Sequence, residues 1–189
     1  MTTETHPLKP FLPSKARLLM LGSFPPPQTR WCMEFFYPNW NNDMWRIWGY
    51  LATGNKDHFV VTGEKRFDKE KIEQFCRCYG IALFDTAQEV IRLKENASDQ
   101  FLQIVTPTDV AYLLQQIPQC HTIVVTGQKA SETLQATIGC RTLTVGECIT
   151  AEYANRQLSI WRMPSSSRAY PRSIEWKASF YKRVWEQLL

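Results

Sequence analysis

The run "ARLLMLG", residues 16–22, decides the fold. It is apolar at almost every position instead of alternating, so a strand built from it is buried on both faces, as in a parallel sheet covered by helices. Three more runs of this kind follow at wide intervals: "IALFDT" (81–86), "HTIVVTG" (121–127) and "LSIWRM" (158–163). Helical periodicity fills much of the space between them. Residues 68–79 place Ile72, Phe75, Cys76 and Tyr79 on one face and stop at Gly80; 108–117 align Val110, Leu113, Leu114 and Ile117; the last helix aligns Ile174, Ala178, Tyr181, Trp185 and Leu188. Buried strands alternating with amphipathic helices predict an α/β protein, a three-layer α/β/α sandwich around a central, mostly parallel four-stranded sheet. No repeat, low-complexity tract or linker interrupts the pattern, so residues 1–189 are expected to form a single domain.

Composition agrees with one globular unit: 44% of the 189 residues are hydrophobic and 21% charged, enough apolar material for a sizeable core. The aromatic share of 13%, with seven Trp, suits either a core or a surface that stacks on flat ligands. The charge is unevenly placed. Residues 160–189 hold six Lys and Arg against two Glu, leaving 16 against 16 elsewhere, so the whole excess of +4 lies in the last thirty residues. Such a basic end fits either a polyanion such as nucleic acid or a solvated helix face. The six cysteines form no CxxC pair and no His stands at zinc spacing, so no metal site is expected. The first residues lack the apolar core of a signal peptide and no run is long enough to span a bilayer, which points to reduced thiols and a cytoplasmic protein. His6, His58 and His121 are scattered, with no catalytic partner evident in sequence.

An open α/β sheet binds its ligands beyond the carboxyl ends of its strands. Here those positions are 22–25, Asp85 and Thr86, 126–128, and 163–167. Asp85 is the only acid among them, but "LFDTAQEV" reads as a strand followed by a helix start, where Asp85 or Thr86 would be the cap. A second informative stretch is "FFYPNWNNDMWRIWGYL" (35–51), which gathers rings, a proline and asparagines ahead of a helix carrying Met44, Trp45, Trp48 and Leu51. Phe35, Phe36, Trp45 and Trp48 are expected to pack in the core. Asn42 fits a helix cap or a polar site contact, and Asn41 is an alternative cap.

Taken in order, "LGSFPPP" (21–27), "FYPNWNNDMW" (36–45), "LFDT" (83–86), "TGQKA" (126–130) and the Pro-Ser-rich "MPSSSRAYPR" (163–172) resemble the motifs of the uracil-DNA glycosylase superfamily. The similarity is greatest to the branch that removes hypoxanthine or uracil, and it runs from about residue 16 to the end of the chain. The resemblance implies a monofunctional DNA glycosylase that hydrolyses the N-glycosidic bond of a deaminated base in base excision repair, with DNA as partner, no cofactor, and a monomeric protein. Cleaving that bond requires a flipped nucleotide, donors toward the departing base and a placed water.

The same resemblance distributes the roles. Asn42, three residues before Trp45, takes the catalytic position, acting by placing a water or a base edge. Gly22, Ser23 and Phe24 form the loop that approaches the base with backbone amides, and Tyr37 is the ring on which the base stacks. Ser165, Ser166, Ser167, Arg168 and Arg172 make a DNA-binding phosphate clamp, and Arg168 or Tyr170 fills the gap left by the extruded base. Other branches carry Asp or Asn where Phe24 stands, and several relatives carry a His or Asn in the last loop; this chain has neither. No lysine occupies a motif position as a Schiff-base nucleophile, so strand cleavage is not expected. Two other classes stay open: a binding module on this fold that has lost catalysis, and an α/β hydrolase or transferase acting on free nucleosides or nucleotides.

Overall fold

A computed structural model describes residues 2–94 and 98–189. The chain runs β1 (Thr3–Thr5), β2 (Leu18–Gly22), α1 (Met44–Thr53), α2 (Lys69–Tyr79), β3 (Ile81–Asp85), β4 (Ala87–Arg92), β5 (Leu102–Pro107), α3 (Val110–Gln116), β6 (Thr122–Thr126), α4 (Gln128–Ile138), β7 (Cys148–Tyr153), β8 (Arg156–Met163) and α5 (Ile174–Leu188). The four apolar runs are β2, β3, β6 and β8, and every residue of β2 and β3 is buried. They pair in parallel in the order β3-β2-β6-β8, and β7 adds an antiparallel edge beside β8.

Helices cover both faces. α1 and α5 meet through Trp48, whose ring lies 5.8 Å from Tyr181 and 6.0 Å from Trp185, and Phe75 of α2 joins the cluster 5.9 Å from Trp185. With the right-handed crossovers that parallel strands require, the strand order puts this trio on one face and α3 with α4 on the other. Glycines in left-handed conformation end α1 and α2, at Gly54 and Gly80, where a side chain would be strained.

The connection from β2 leads to one side of the sheet, to β3, whereas the connection from β6 leads to the other, to β8. The order of strands therefore reverses between β2 and β6, and a crevice opens at their carboxyl ends.

The sheet has five strands where four were expected, and the segment after β3 also differs from the sequence reading. Residues 87–92 are not a helix but β4, the centre of a small antiparallel sheet ordered β1-β4-β5. Register shifts at Ala87, Glu89 and Val90 leave Ala87 and Val90 buried three residues apart, a spacing that imitates a helix. Asp85 consequently caps nothing. This sheet has a core of its own, in which Phe24, 7% exposed, packs with Ala87, Val90 and Leu102.

Candidate active site

The crevice is a cleft of about 910 Å³, lined from every strand end that the topology brings there: 22–26 after β2, Asp85 at the end of β3, 126–129 after β6, and 165–170 after β8. The loop before α1 supplies Phe36, Tyr37, Pro38, Asn39, Asn41 and Asn42, and the turn before β5 supplies Asp99. Gly22, Ser23, Phe24, Tyr37, Asn42, Ser165, Ser166, Ser167 and Arg168 thus share one cavity. Arg172 does not line it; its guanidinium lies over the Trp176 ring, 5.1 Å from the centroid.

Asp85 forms the floor. Its side chain is 9% exposed, and His6, 3% exposed, sets Nε2 2.9 Å from Asp85 Oδ2. The other oxygen, Oδ1, lies over Gly22 so closely that a Cβ there would collide with it. Gly22 is glycine because the carboxylate occupies the place of a side chain. Oδ1 has no hydrogen-bond donor among the described residues, and it lies beside Gly22, which lines the cleft with Asp85.

Tyr37 forms a wall. Its backbone is left-handed, with φ of 52°, a conformation that costs a non-glycine residue about 1 to 3 kcal/mol and is held by its surroundings. The ring packs edge-on against Trp45, with centroids 6.2 Å apart, and the hydroxyl lies 2.9 Å from Thr126 Oγ1. Thr126 donates its one hydroxyl proton to the Leu21 carbonyl at 3.3 Å, so Tyr37 is the donor to Thr126. Burial pushes the Tyr37 hydroxyl far above its ordinary pKa, with Asp85 and Asp99 nearby adding to the effect. It stays protonated and pins the ring in place.

The loop before α1 is zipped to the loop after β8. Asn42 bridges Ser167 in antiparallel fashion, the Asp43 amide donates to the Ser166 carbonyl at 2.8 Å, and the Arg168 amide to the Asn41 carbonyl at 3.1 Å. Beneath the zipper Asp43 is buried, its carboxylate shared between Lys177 Nζ at 2.9 Å and Arg168 Nε at 3.0 Å, and Lys177 also donates to the Ser167 carbonyl. The basic end is therefore not simply a solvated face: Lys177 is wholly buried and Arg168 is partly committed to Asp43. Ser165 and Ser167 accept from amides two residues on, which stiffens the loop while leaving their hydroxyl protons available.

Asn42 plays a double part. Its Oδ1 accepts from the Met44 amide at 2.9 Å at the start of α1, a cap-like bond, whereas its side-chain NH₂ has no protein partner among the described residues and lies in the lining of the cleft. Asn41 does not cap; it is exposed, and its amide donates to Asn39 Oδ1.

The N–H groups of Ser23 and Phe24 have no protein acceptor among the described residues. The Phe24 ring is held in the small core and contributes no polar group. Across the cleft, burial pushes the Asp99 carboxyl above its ordinary pKa; a hydrogen bond with Ser23 opposes the shift and the Asp85 charge adds to it. His6 and Asp99 carry no signal in the sequence. His6 meets an acid 79 positions away, and Asp99 sits in a short turn without periodicity. Among the described residues no three His, Cys, Asp or Glu side chains gather as a metal ion requires, and no helix is long and apolar enough to cross a membrane.

No protein-family model matches the chain, and no curated protein matches it. Among solved structures it is similar to the solution NMR structure described as a "putative Uracil DNA glycosylase" from Methanosarcina acetivorans, with a TM-score of 0.67, 22% identity and 95% of each chain covered. At that identity the likeness shows a common fold.

Proposed function

We propose that the protein is a monofunctional DNA glycosylase that hydrolyses the N-glycosidic bond of a deaminated base, uracil or hypoxanthine, in DNA. The observation that carries this reading is the pairing of a pinned ring, Tyr37, with an open carboxylate oxygen, Asp85 Oδ1, in one cleft at the reversal of strand order. A flat base stacked on the ring presents its edge to the floor. Stacking contributes about 1 to 3 kcal/mol per base, comparable with the few kcal/mol that extruding the nucleotide costs.

The free amides of Ser23 and Phe24 are suited to a base carbonyl as it takes up negative charge. Asn42 offers its NH₂ to a water or to the base, acting by position because an amide is a poor base. Ser165, Ser167 and Arg168, in the loop tied down by the Asp43 and Lys177 pair, are suited to contact phosphate, whereas Ser166 is buried. Arg172 contributes charge outside the cleft.

The test is base release from oligonucleotides carrying uracil, hypoxanthine or xanthine, with the strand examined before and after alkali. Release of uracil or hypoxanthine, leaving a strand that breaks only after alkali, is expected. Lesion binding without release from any substrate would leave a binding module, to which the apolar Phe24 side chain gives some support. Turnover of free nucleosides with no binding to DNA would replace this reading by nucleoside chemistry.

A further inference from the structure

The His6 contact to Asp85 is elaborate for a histidine that only fills space. The residue before it ends β1, which pairs with β4 in the register Thr3↔Ile91, Glu4↔Val90, Thr5↔Glu89, and the His6 amide donates to the Gln88 carbonyl at 2.8 Å. Glu4 is bound by Arg92 through two contacts, at 3.0 and 3.1 Å, and Arg92 also donates to the Pro25 carbonyl, so the segment is tied both to the small sheet and to the loop after β2. The imidazole lies 4.5 Å from Phe84 and 5.3 Å from Phe24, centroid to centroid.

The second ring nitrogen has a partner in either protonation state. Nδ1 lies 3.1 Å from the Leu8 amide and 2.9 Å from the Leu8 carbonyl. A carboxylate oxygen only accepts, so Nε2 carries the proton toward Asp85 Oδ2; Nδ1 then accepts from the Leu8 amide in the neutral ring or donates to the Leu8 carbonyl in the imidazolium. Oδ2 is thereby occupied, and Oδ1 is the oxygen left for a ligand, as an acceptor.

We infer that His6 is a positioning residue that holds Asp85 as an acceptor, so that the cleft selects bases with a ring N–H, the group deamination creates in hypoxanthine and uracil. This rests on the glycosylase reading for its substrate. Deamination of adenine or cytosine replaces an exocyclic amine by a carbonyl and moves a proton onto the neighbouring ring nitrogen. At that ring nitrogen hypoxanthine and uracil therefore offer Oδ1 a donor, whereas adenine and cytosine held in the same pose aim a lone pair at a buried negative oxygen and must shift to offer their amine instead. Guanine keeps its ring N–H, and this contact does not reject it. The Phe24 ring takes part by packing the imidazole rather than by touching the base.

Titration calorimetry with hypoxanthine and adenine as their 9-methyl derivatives, in which the nitrogen that carries the sugar in DNA has no proton, tests this without DNA or turnover, and base release from a hypoxanthine oligonucleotide is measured in parallel. The parent protein should bind hypoxanthine at least tenfold more tightly than adenine. His6→Ala should lose most of that preference, and His6→Gln, whose amide can reach the same oxygen, should regain much of it, with the circular dichroism and melting of all three proteins compared to establish folding. A parent with no preference for hypoxanthine, or a folded His6→Ala protein that keeps the full preference, overturns the inference. If the preference follows His6 as described but no variant releases base, the inference stands and the glycosylase reading falls.

Discussion

Asn42→Ala separates two parts that one side chain plays in this structure. The cap-like bond from the Met44 amide to Oδ1, at 2.9 Å, is made at a half-buried position. Its loss should cost about 1 kcal/mol of folding stability, the usual value for a cap of this kind. The backbone bridge to Ser167 and the Asn42 amide bond to the Asn39 carbonyl do not depend on the side chain, so the zipper should survive. The NH₂ group answers to a different assay. If it holds water or the base edge in the transition state, removing it should slow single-turnover base release about a hundredfold, or about 2.7 kcal/mol, as loss of one preorganised contact does. Stability is read by urea unfolding and the chemical step by single-turnover release at saturating protein, so the losses are measured separately. Asn42→Asp adds a third arm. It keeps an acceptor for Met44 and sets negative charge at a helix start, which is favourable, so stability should hold or rise. A carboxylate can also act as a base toward water, so release of uracil, a good leaving group, should be retained. An Asn42→Ala protein that loses 1 kcal/mol of stability but releases base at the parent rate per folded molecule would reduce Asn42 to a cap and refute the reasoning.

Tyr37→Ala should impair base release strongly, whereas Tyr37→Phe should retain most of it, because the π-face does the stacking and the hydroxyl only pins the ring to Thr126; equal losses in single-turnover assays would show that the hydroxyl acts directly. Lys177→Met should destabilise the fold by roughly 3 to 5 kcal/mol by leaving buried Asp43 short of its counter-charge, and Asp43→Asn in the same protein should restore part of this in urea unfolding. Arg168→Ala should weaken binding of damaged and undamaged DNA alike and reduce the salt slope by about one, as titrations at several salt concentrations would show. Asp99 has a raised pKa in the folded protein, so it favours folding below the ordinary aspartate range, and that contribution is lost as pH rises through its folded value. Asp99→Asn should therefore match the parent near pH 3 and become increasingly more stable than it toward neutrality, as thermal melts across that range would reveal.

The parallel part of the sheet was legible because β2, β3, β6 and β8 are buried on both faces, and such strands announce themselves as unbroken apolar runs. β7 was not, because "CITAEY" lies at an edge and has no fully buried residue. β4 was misread as a helix because its bulges put Ala87 and Val90 three apart. Three polar residues, Thr3, Glu4 and Thr5, form β1 only because β4 is there to pair with them. For the cleft, the topology rule pointed to strand ends that the structure gathers around one cavity, and the motif resemblance pointed to residues that line it, Arg172 excepted. What stayed hidden were the polar pairs. His6 lies 79 positions from Asp85 and Lys177 lies 134 from Asp43. Pairing over such distances leaves no trace in local periodicity, so Asp85 read as a cap and Lys177 as one more surface charge.

Phe24 connects these misreadings. It stands at the third position of the loop after β2, where other branches of the superfamily it resembles carry Asp or Asn, so in sequence it implies that the polar role has moved, to Asn42, or been lost. In the structure its ring instead anchors the small sheet, through Ala87, Val90 and Leu102, and touches His6 edge-on at 5.3 Å. That sheet carries His6 to Asp85 from one side and leads from the turn holding Asp99 on the other. An Asp at position 24 would bury a charge among those apolar side chains, at a cost that an unpaired carboxylate normally avoids by taking up a proton. Two of the polar groups around Asp85, His6 and Asp99, thus reach it from the small sheet, and the apolar residue in the loop helps to anchor that sheet. A change at position 24 should accordingly be read together with the residues at 6, 85 and 99, because the four share one packing unit and their effects are not expected to add.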